Sequence, residues 1–291
     1  MVKTMSELYL HTRRSLMTRE DPQTASLYAR NILSGITEKT QEAILADPNF
    51  YVSDEVCQAA EKAVVRLLNG EPLAYVLGQW DFYGMPLFVD KNVLIPRDDT
   101  CAVVDLAIKH ACLQEHTLRI LDLCTGSGCI GLAMASRIKH AKITLADVSR
   151  EAMAVAKKNI ALHKLSGRVT CVQADALDVP PAFLGKFDMI VSNPPYITSE
   201  EMLELPHEVK DFEPHLALFG GEDGLKFYCA IAENYKNALT PGGFLCFEFG
   251  MGQGDDVCGI LEMNGYTILE RTRDYNHIER AVIAQYGRKE K

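Results

Sequence analysis

Five short apolar runs, LRILDLC, KITLADV, RVTCVQAD, FDMIVSN and GGFLCFEF, recur from Leu118 onward, with helix-spaced segments such as EAMAVAKKNIALHK and GLKFYCAIAENYKNAL between them. A strand that reaches its neighbour through a helix runs parallel to it in one sheet. Repetition of that unit therefore predicts a doubly wound α/β domain with a mostly parallel central sheet. GYTILERTRDY and IERAVIAQY follow with too little chain between them for a helix, which predicts two antiparallel neighbours at one edge.

The chain before this region reads differently. Ala25, Tyr28, Ala29, Ile32 and Leu33, then Val56, Ala59, Ala60, Ala63, Val64, Leu67 and Leu68, recur at helical spacing. Breaks fall at Asp21-Pro22, Gly35, Asp47-Pro48 and Asn69-Gly70, and Ser53 before Asp54 and Glu55 has the form of an N-cap with an acidic first turn. Residues 1–70 are thus expected to form a small helical bundle. Residues 71–97 carry LAYVL and then Phe82, Tyr83, Leu87, Phe88 and Val89, broken at Gly78 and Gly84-Met85-Pro86. This is read as a strand-rich β-hairpin connector holding the lone Trp80. Residues 98–291 complete the α/β domain.

Charge narrows the range of partners. Thirty Lys and Arg stand against 39 Asp and Glu over 291 residues, and neither side of Gly70 has a basic surplus. A groove that follows phosphates draws its affinity from such a surplus, so direct nucleic-acid binding is not expected. The longest apolar run, Cys129 to Ala135, is far short of the roughly 20 residues that span a bilayer. The opening segment has no apolar core of a secretory signal. Nine Cys without a C-x-x-C pair, several in strand-like runs, read as reduced buried thiols, which places the protein in the cytoplasm. No metal-ligand spacing stands out among the eight His.

The first run of the α/β region opens into Cys124-Thr125-Gly126-Ser127-Gly128, with Gly131 beyond, and Asp147 follows Gly126 by 21 residues. GSGCIG is formally the dinucleotide fingerprint with its ribose-binding acid, so a nicotinamide enzyme fits this motif alone. Asp122 changes the balance. A pyrophosphate would meet its negative charge, whereas S-adenosylmethionine has a sulfonium, an ammonium and no phosphate. Asp147 is then expected to accept the ribose hydroxyls. Asp175 would accept from the adenine amino group, with the Ala176 backbone beside it. Open α/β sheets bind ligands at such strand ends.

The fourth run ends in Asn193-Pro194-Pro195-Tyr196. Two prolines stiffen the turn and remove two backbone donors. The Asn193 Oδ1 and the Pro194 carbonyl are left as acceptors for a planar –NH₂ group, on which Tyr196 could stack. Acceptors fixed on those hydrogens stabilise the positive charge that grows on a weakly nucleophilic nitrogen as it takes a methyl group. No separate strong base is required.

Taken with EPLAYVLGQWDFYGMPLFVDKNVLIPR, DLCTGSG, FDMIVSNPPYI, FEPHLALFGGEDGL and RDYNHIERAVIA, these residues make the chain resemble the bacterial PrmC/HemK family of peptide-chain-release-factor N5-glutamine methyltransferases along nearly its whole length. The resemblance implies a helical N-terminal domain that docks the substrate, a hairpin and a seven-strand methyltransferase domain. It implies methyl transfer from S-adenosylmethionine to the Gln of the Gly-Gly-Gln loop in class 1 release factors. The protein is expected to be a monomer. Carried over residue by residue, Cys124 to Gly128, Asp147, Asp175 and Asn193 would bind the donor. Asn193 to Tyr196 would bind the substrate Gln, and Arg97 would shape its entrance. Two positions depart from the family pattern: Cys124 stands where Gly is usual, and the run after Ile95-Pro96-Arg97 reads Asp98-Asp99-Thr100-Cys101. The alternatives are methylation of a ribosomal-protein glutamine, a nucleic-acid amino-methyltransferase, and a donor-binding adaptor without catalysis.

Overall fold

A computed structural model describes residues 3–114 and 116–287, so the outermost ends of the first and last expected segments, 1–2 and 288–291, lie outside the described residues. The chain divides into two compact units: residues 1–79 with 207–212, and residues 80–206 with 213–291.

The first unit is helical. It comprises β1 (Lys3–Thr4), α1 (Met5–Leu16), α2 (Pro22–Thr37), α3 (Gln41–Ala46), β2 (Tyr51–Val52), α4 (Asp54–Leu68) and α5 (Leu73–Leu77). Each longer helix begins where a side chain satisfies free backbone N–H groups. Thr4 and Glu7 form a capping box, Asp21 accepts from Gln23 N and Thr24 N with Pro22 at the first position, and Ser53 accepts from Val56 N. Met5, Leu8, Ile32, Leu33, Ala60 and Val64 are buried between the helices, and β1 pairs antiparallel with β2.

Here the structure corrects the expected connector. LAYVL is not a strand but the one-turn helix α5, entered at Pro72 and ended by Gly78 at φ 70°. Arg66 of α4 donates to the carbonyls of Tyr75 and Val76 at 3.0 and 3.2 Å. The helical unit accordingly runs nine residues past Gly70, to Gln79.

The second unit opens with the hairpin proper, β3 (Gln79–Phe82) and β4 (Met85–Phe88), turned through Tyr83 and Gly84 at positive φ. Then come α6 (Cys101–Ala111), β5 (Arg119–Leu123), α7 (Cys129–Arg137), β6 (Lys142–Asp147), α8 (Arg150–Leu162), β7 (Val169–Gln173) and β8 (Phe187–Ser192). They are followed by the short α9 (Glu201–Glu204) and α10 (His207–Lys210), α11 (Lys226–Asn234), β9 (Leu239–Glu248), α12 (Gly254–Met263), β10 (Tyr266–Arg273) and β11 (Glu279–Tyr286). Residues 207–212, including α10, belong to the helical unit.

One seven-stranded sheet has the order β10-β11-β9-β8-β5-β6-β7. The five strands β7, β6, β5, β8 and β9 are parallel, and β11 and β10 complete the edge antiparallel, as expected from their short connection. Ile120, Leu121 and Leu123 are wholly buried, because helices cover both faces and strand residues on either side must be apolar. From β5 the chain winds through β6 to β7 on one side and later through β8 to β9 on the other. The order reverses between β5 and β8, which opens a crevice at their carboxyl ends. Among the described residues no helix is long and apolar enough to cross a membrane.

Candidate active site

That crevice is a cleft with about 930 Å³ of empty space, counting solvent at its mouth. Its floor is the turn after β5. Thr125 N donates to Ala146 O at 3.0 Å, Gly126 N to Asp147 Oδ2 at 2.9 Å and Gly128 N to Thr125 O at 2.8 Å, so the turn is hung from the end of β6. Close packing explains Gly131, where a Cβ would come 2.3 Å from Leu145 Cδ2. Cys124 has φ 61°, a left-handed conformation that favours glycine, and its half-buried side chain lines the cleft. Burial pushes its thiol pKa upward, and Asp147 adds to the effect.

Asp122 is fully buried beneath this floor and does not line the cleft. Its Oδ2 accepts from Thr125 Oγ1 at 2.6 Å and Gly131 N at 2.8 Å, while its Oδ1 has no partner among the described residues. Burial raises its pKa to about 7 against the pull of those two hydrogen bonds. The acid that sequence reading set facing a cationic ligand is therefore a brace inside the turn.

Asp147 and Asp175 do line the cleft, at the ends of β6 and just past β7, with Ala176 next to the latter. Asp147 Oδ1 accepts from Ser149 N at 2.9 Å, so both its oxygens are oriented by backbone while retaining lone pairs for a ligand. Burial raises its pKa, and the hydrogen bonds from Ser149 and Gly126 oppose that. Asp175 Oδ1 is fixed by Leu177 N at 2.9 Å.

Asn193 and Pro195 form the facing wall at the end of β8. Asn193 Nδ2 donates to Thr100 Oγ1 at 3.3 Å, and its Oδ1 has no partner among the described residues. Pro194 and Tyr196 are outside the lining. The half-buried Tyr196 packs against the apolar core on the α11 side, and burial pushes its phenol pKa upward. Arg97 is at the rim and is paired with Glu213, whose side chain is 1% exposed and whose other oxygen accepts from Ile95 N at 3.1 Å.

The structure brings Arg97, Cys124 to Ser127, Asp147, Asp175, Ala176, Asn193 and Pro195 to one cleft, with Gly128 just behind at the start of α7. Sequence reading missed Thr100, Glu213, Phe227 and the wholly buried Asn159. Asn159 donates to Ser127 O at 2.9 Å and to Phe88 O at 3.0 Å, and its Oδ1 accepts from Phe88 N at 2.6 Å. A buried amide in the otherwise amphipathic α8 was the available signal.

The lining fits S-adenosylmethionine. Two carboxylates and the buried hydroxyl of Ser127, which has no partner among the described residues, offer acceptors for ribose and ammonium groups. Val93, Leu94, Ile130 and Phe227 supply apolar walls for a base.

Comparison with known proteins agrees. Residues 5–78 match the PrmC N-terminal domain family and residues 105–209 the methyltransferase small domain family. A release factor glutamine methyltransferase from Clostridium acetobutylicum is 39% identical over 88% of this chain and 90% of its own. One from Geobacter sulfurreducens is 34% identical over 94% of each. Among solved structures, a methyltransferase from Pyrococcus furiosus superposes with a TM-score of 0.51 at 18% identity, covering 78% of this chain and 100% of its own.

Proposed function

This chain belongs to the release factor glutamine methyltransferase family, and on that premise we propose that it methylates the side-chain amide nitrogen (N5) of the Gln in the Gly-Gly-Gln loop of class 1 release factors. It is an S-adenosylmethionine-dependent methyltransferase. The observation that carries the substrate reading is the sharing of one cleft by Asn193 with the Cys124–Ser127 turn, Asp147 and Asp175.

When bound, the donor supplies an electrophilic methyl group on sulfur. Asp147, Asp175 and the Cys124 to Ser127 turn would hold its polar groups. Asn193 Oδ1, which reaches the cleft while Pro194 does not line it, accepts a hydrogen of the substrate amide and orients its nitrogen lone pair. Asn193 Oδ1 would stabilise the positive charge that grows on this nitrogen as it takes the methyl group, until a proton leaves to water. Arg97, held by Glu213, borders the entrance. In this reading Tyr196 supports the turn from the core side.

We assign release-factor docking to the helical unit, residues 1–79 with 207–212, and methyl transfer to the α/β unit that opens with the hairpin. The reading has the enzyme working as a cytoplasmic monomer on protein rather than nucleic acid. Nine free cysteines support the compartment, and the net charge of −9 supports a protein substrate over nucleic acid.

A tritiated-methyl assay tests the proposal with a recombinant release factor, its Gly-Gly-Ala variant and total ribosomes in parallel. Label on the wild-type factor alone is expected. Label on ribosomes, or on the Gly-Gly-Ala factor, would overturn the assignment.

A further inference from the structure

β8 and β9 run parallel with Ser192 opposite Phe247, so the next residue of each strand, Asn193 and Glu248, sit side by side at the carboxyl edge of the sheet. Glu248 is 2% exposed, and its Oε2 has no hydrogen-bond partner among the described residues. The Thr100 and Asn193 side chains adjoin its carboxyl and favour the ionised form, and Asn193 Nδ2 donates to Thr100 Oγ1 at 3.3 Å. Arg280, whose charge favours the ionised form, is itself held by Asp99 and Asp274 at 3.0 Å each. Other titratable groups around it are Tyr196, Tyr228, Cys101 and Cys129, all with pKa values pushed up by burial. A carboxyl so placed contributes nothing evident to stability, because burying a charge without a dedicated partner is costly. Such groups concentrate at functional sites.

We propose that Glu248 is a positioning residue for the methyl acceptor: it receives the Thr100 hydroxyl and the Asn193 Nδ2, and so fixes the Asn193 amide with Oδ1 turned toward the cleft. This rests on the glutamine methyltransferase reading. An ionised carboxylate only accepts hydrogen bonds, so it admits one orientation of the neighbouring amide. A protonated carboxyl, or a Gln in its place, can donate to Oδ1 and admits the flipped amide, which would present N–H groups to the substrate's own N–H groups. Burial raises the Glu248 pKa to about 7. The fraction of enzyme with a correctly set Asn193 therefore falls as pH drops through neutrality.

Full-length E248Q and wild type are compared with release factor at saturating donor between about pH 6 and pH 9. E248Q is expected to lose about tenfold or more in kcat, as misplaced reacting groups do. Its donor affinity by calorimetry should remain within about twofold and its thermal midpoint at high pH should be equal or raised, since a buried charge has been removed. The acid limb of the wild-type kcat profile, near pH 7, should vanish. Unchanged kcat in E248Q overturns the inference, as does a joint loss of kcat and thermal stability with the limb retained. If E248Q does not fold, the wild-type profile decides: a kcat flat across neutrality overturns the inference, and a limb that shifts in Thr100→Val supports it. A wild-type enzyme that labels no release factor overturns the glutamine reading and this inference together. Normal wild-type transfer with an unaffected E248Q overturns this inference alone.

Discussion

Two turns at the carboxyl edge of one sheet face each other across the cleft, and they are built by opposite means. The turn after β5 is a backbone device: residues at positive φ, N–H groups hung on Asp147 and Ala146, and a buried acid underneath. The turn after β8 has given up backbone donors to two prolines and presents a side chain, Asn193, aligned by its neighbours. A ligand held by the first is held mainly through shape and acceptors, which is binding. A ligand held by the second meets fixed acceptors where charge develops during reaction, which is catalysis.

Substitutions can separate the two. Asn193→Ala should lower kcat about 10²-fold or more while donor affinity stays within a few-fold, measured by steady-state transfer and calorimetry. Equal loss in both would erase the contrast. Asp147→Ala should do the reverse, weakening donor binding by about tenfold or more, since hydrogen bonds to charged groups contribute about 1.5–3 kcal/mol. At saturating donor its kcat should recover most of the wild-type value.

Asp122 offers a pH test of the brace. Its pKa is raised in the folded state from an ordinary value of 3.8 to about 7, so the folded protein binds the proton more tightly than the unfolded chain. Stability owed to this group is full below about pH 4 and is lost as pH rises toward 7. Asp122→Asn keeps an acceptor for Thr125 and Gly131 and should remove that slope. Relative to wild type it should gain on the order of 4 kcal/mol at pH 8, read from denaturant unfolding of the α/β unit. Smallest is Cys124→Gly. Relief of the left-handed strain, about 1–2 kcal/mol, is partly offset by glycine's greater unfolded entropy, leaving a net gain of about 0.5–1 kcal/mol. A loss of stability would mean that the Cys124 side chain has packing value that outweighs its φ.

The features legible in sequence were those that a few neighbouring residues determine. Strand and helix alternation, the antiparallel edge pair, the Ser53 cap, the glycine turn and the Asn193–Tyr196 turn all have local causes. What was not legible depends on register or on ambiguous runs. LAYVL is too short to show a period, and only the bracketing Pro72 and Gly78 with their φ values make it helical. Asp122 could not be assigned to the underside of the turn, and Tyr196 could not be set facing the core, without knowing which way each strand end is rotated. Thr100, Glu213 and Glu248 join the site through contacts over long sequence separations, as in the pairing of Arg97 with Glu213. The family resemblance covered the chain but gave no roles for these three.

One buried amide has a mechanical consequence. Asn159 grips the Phe88 backbone of the hairpin in both directions and the Ser127 carbonyl of the donor turn with the same side chain. The hairpin and the donor turn are thereby yoked. A load applied to β4 is delivered to the floor of the cleft through a linkage one residue long, with no slack to absorb it.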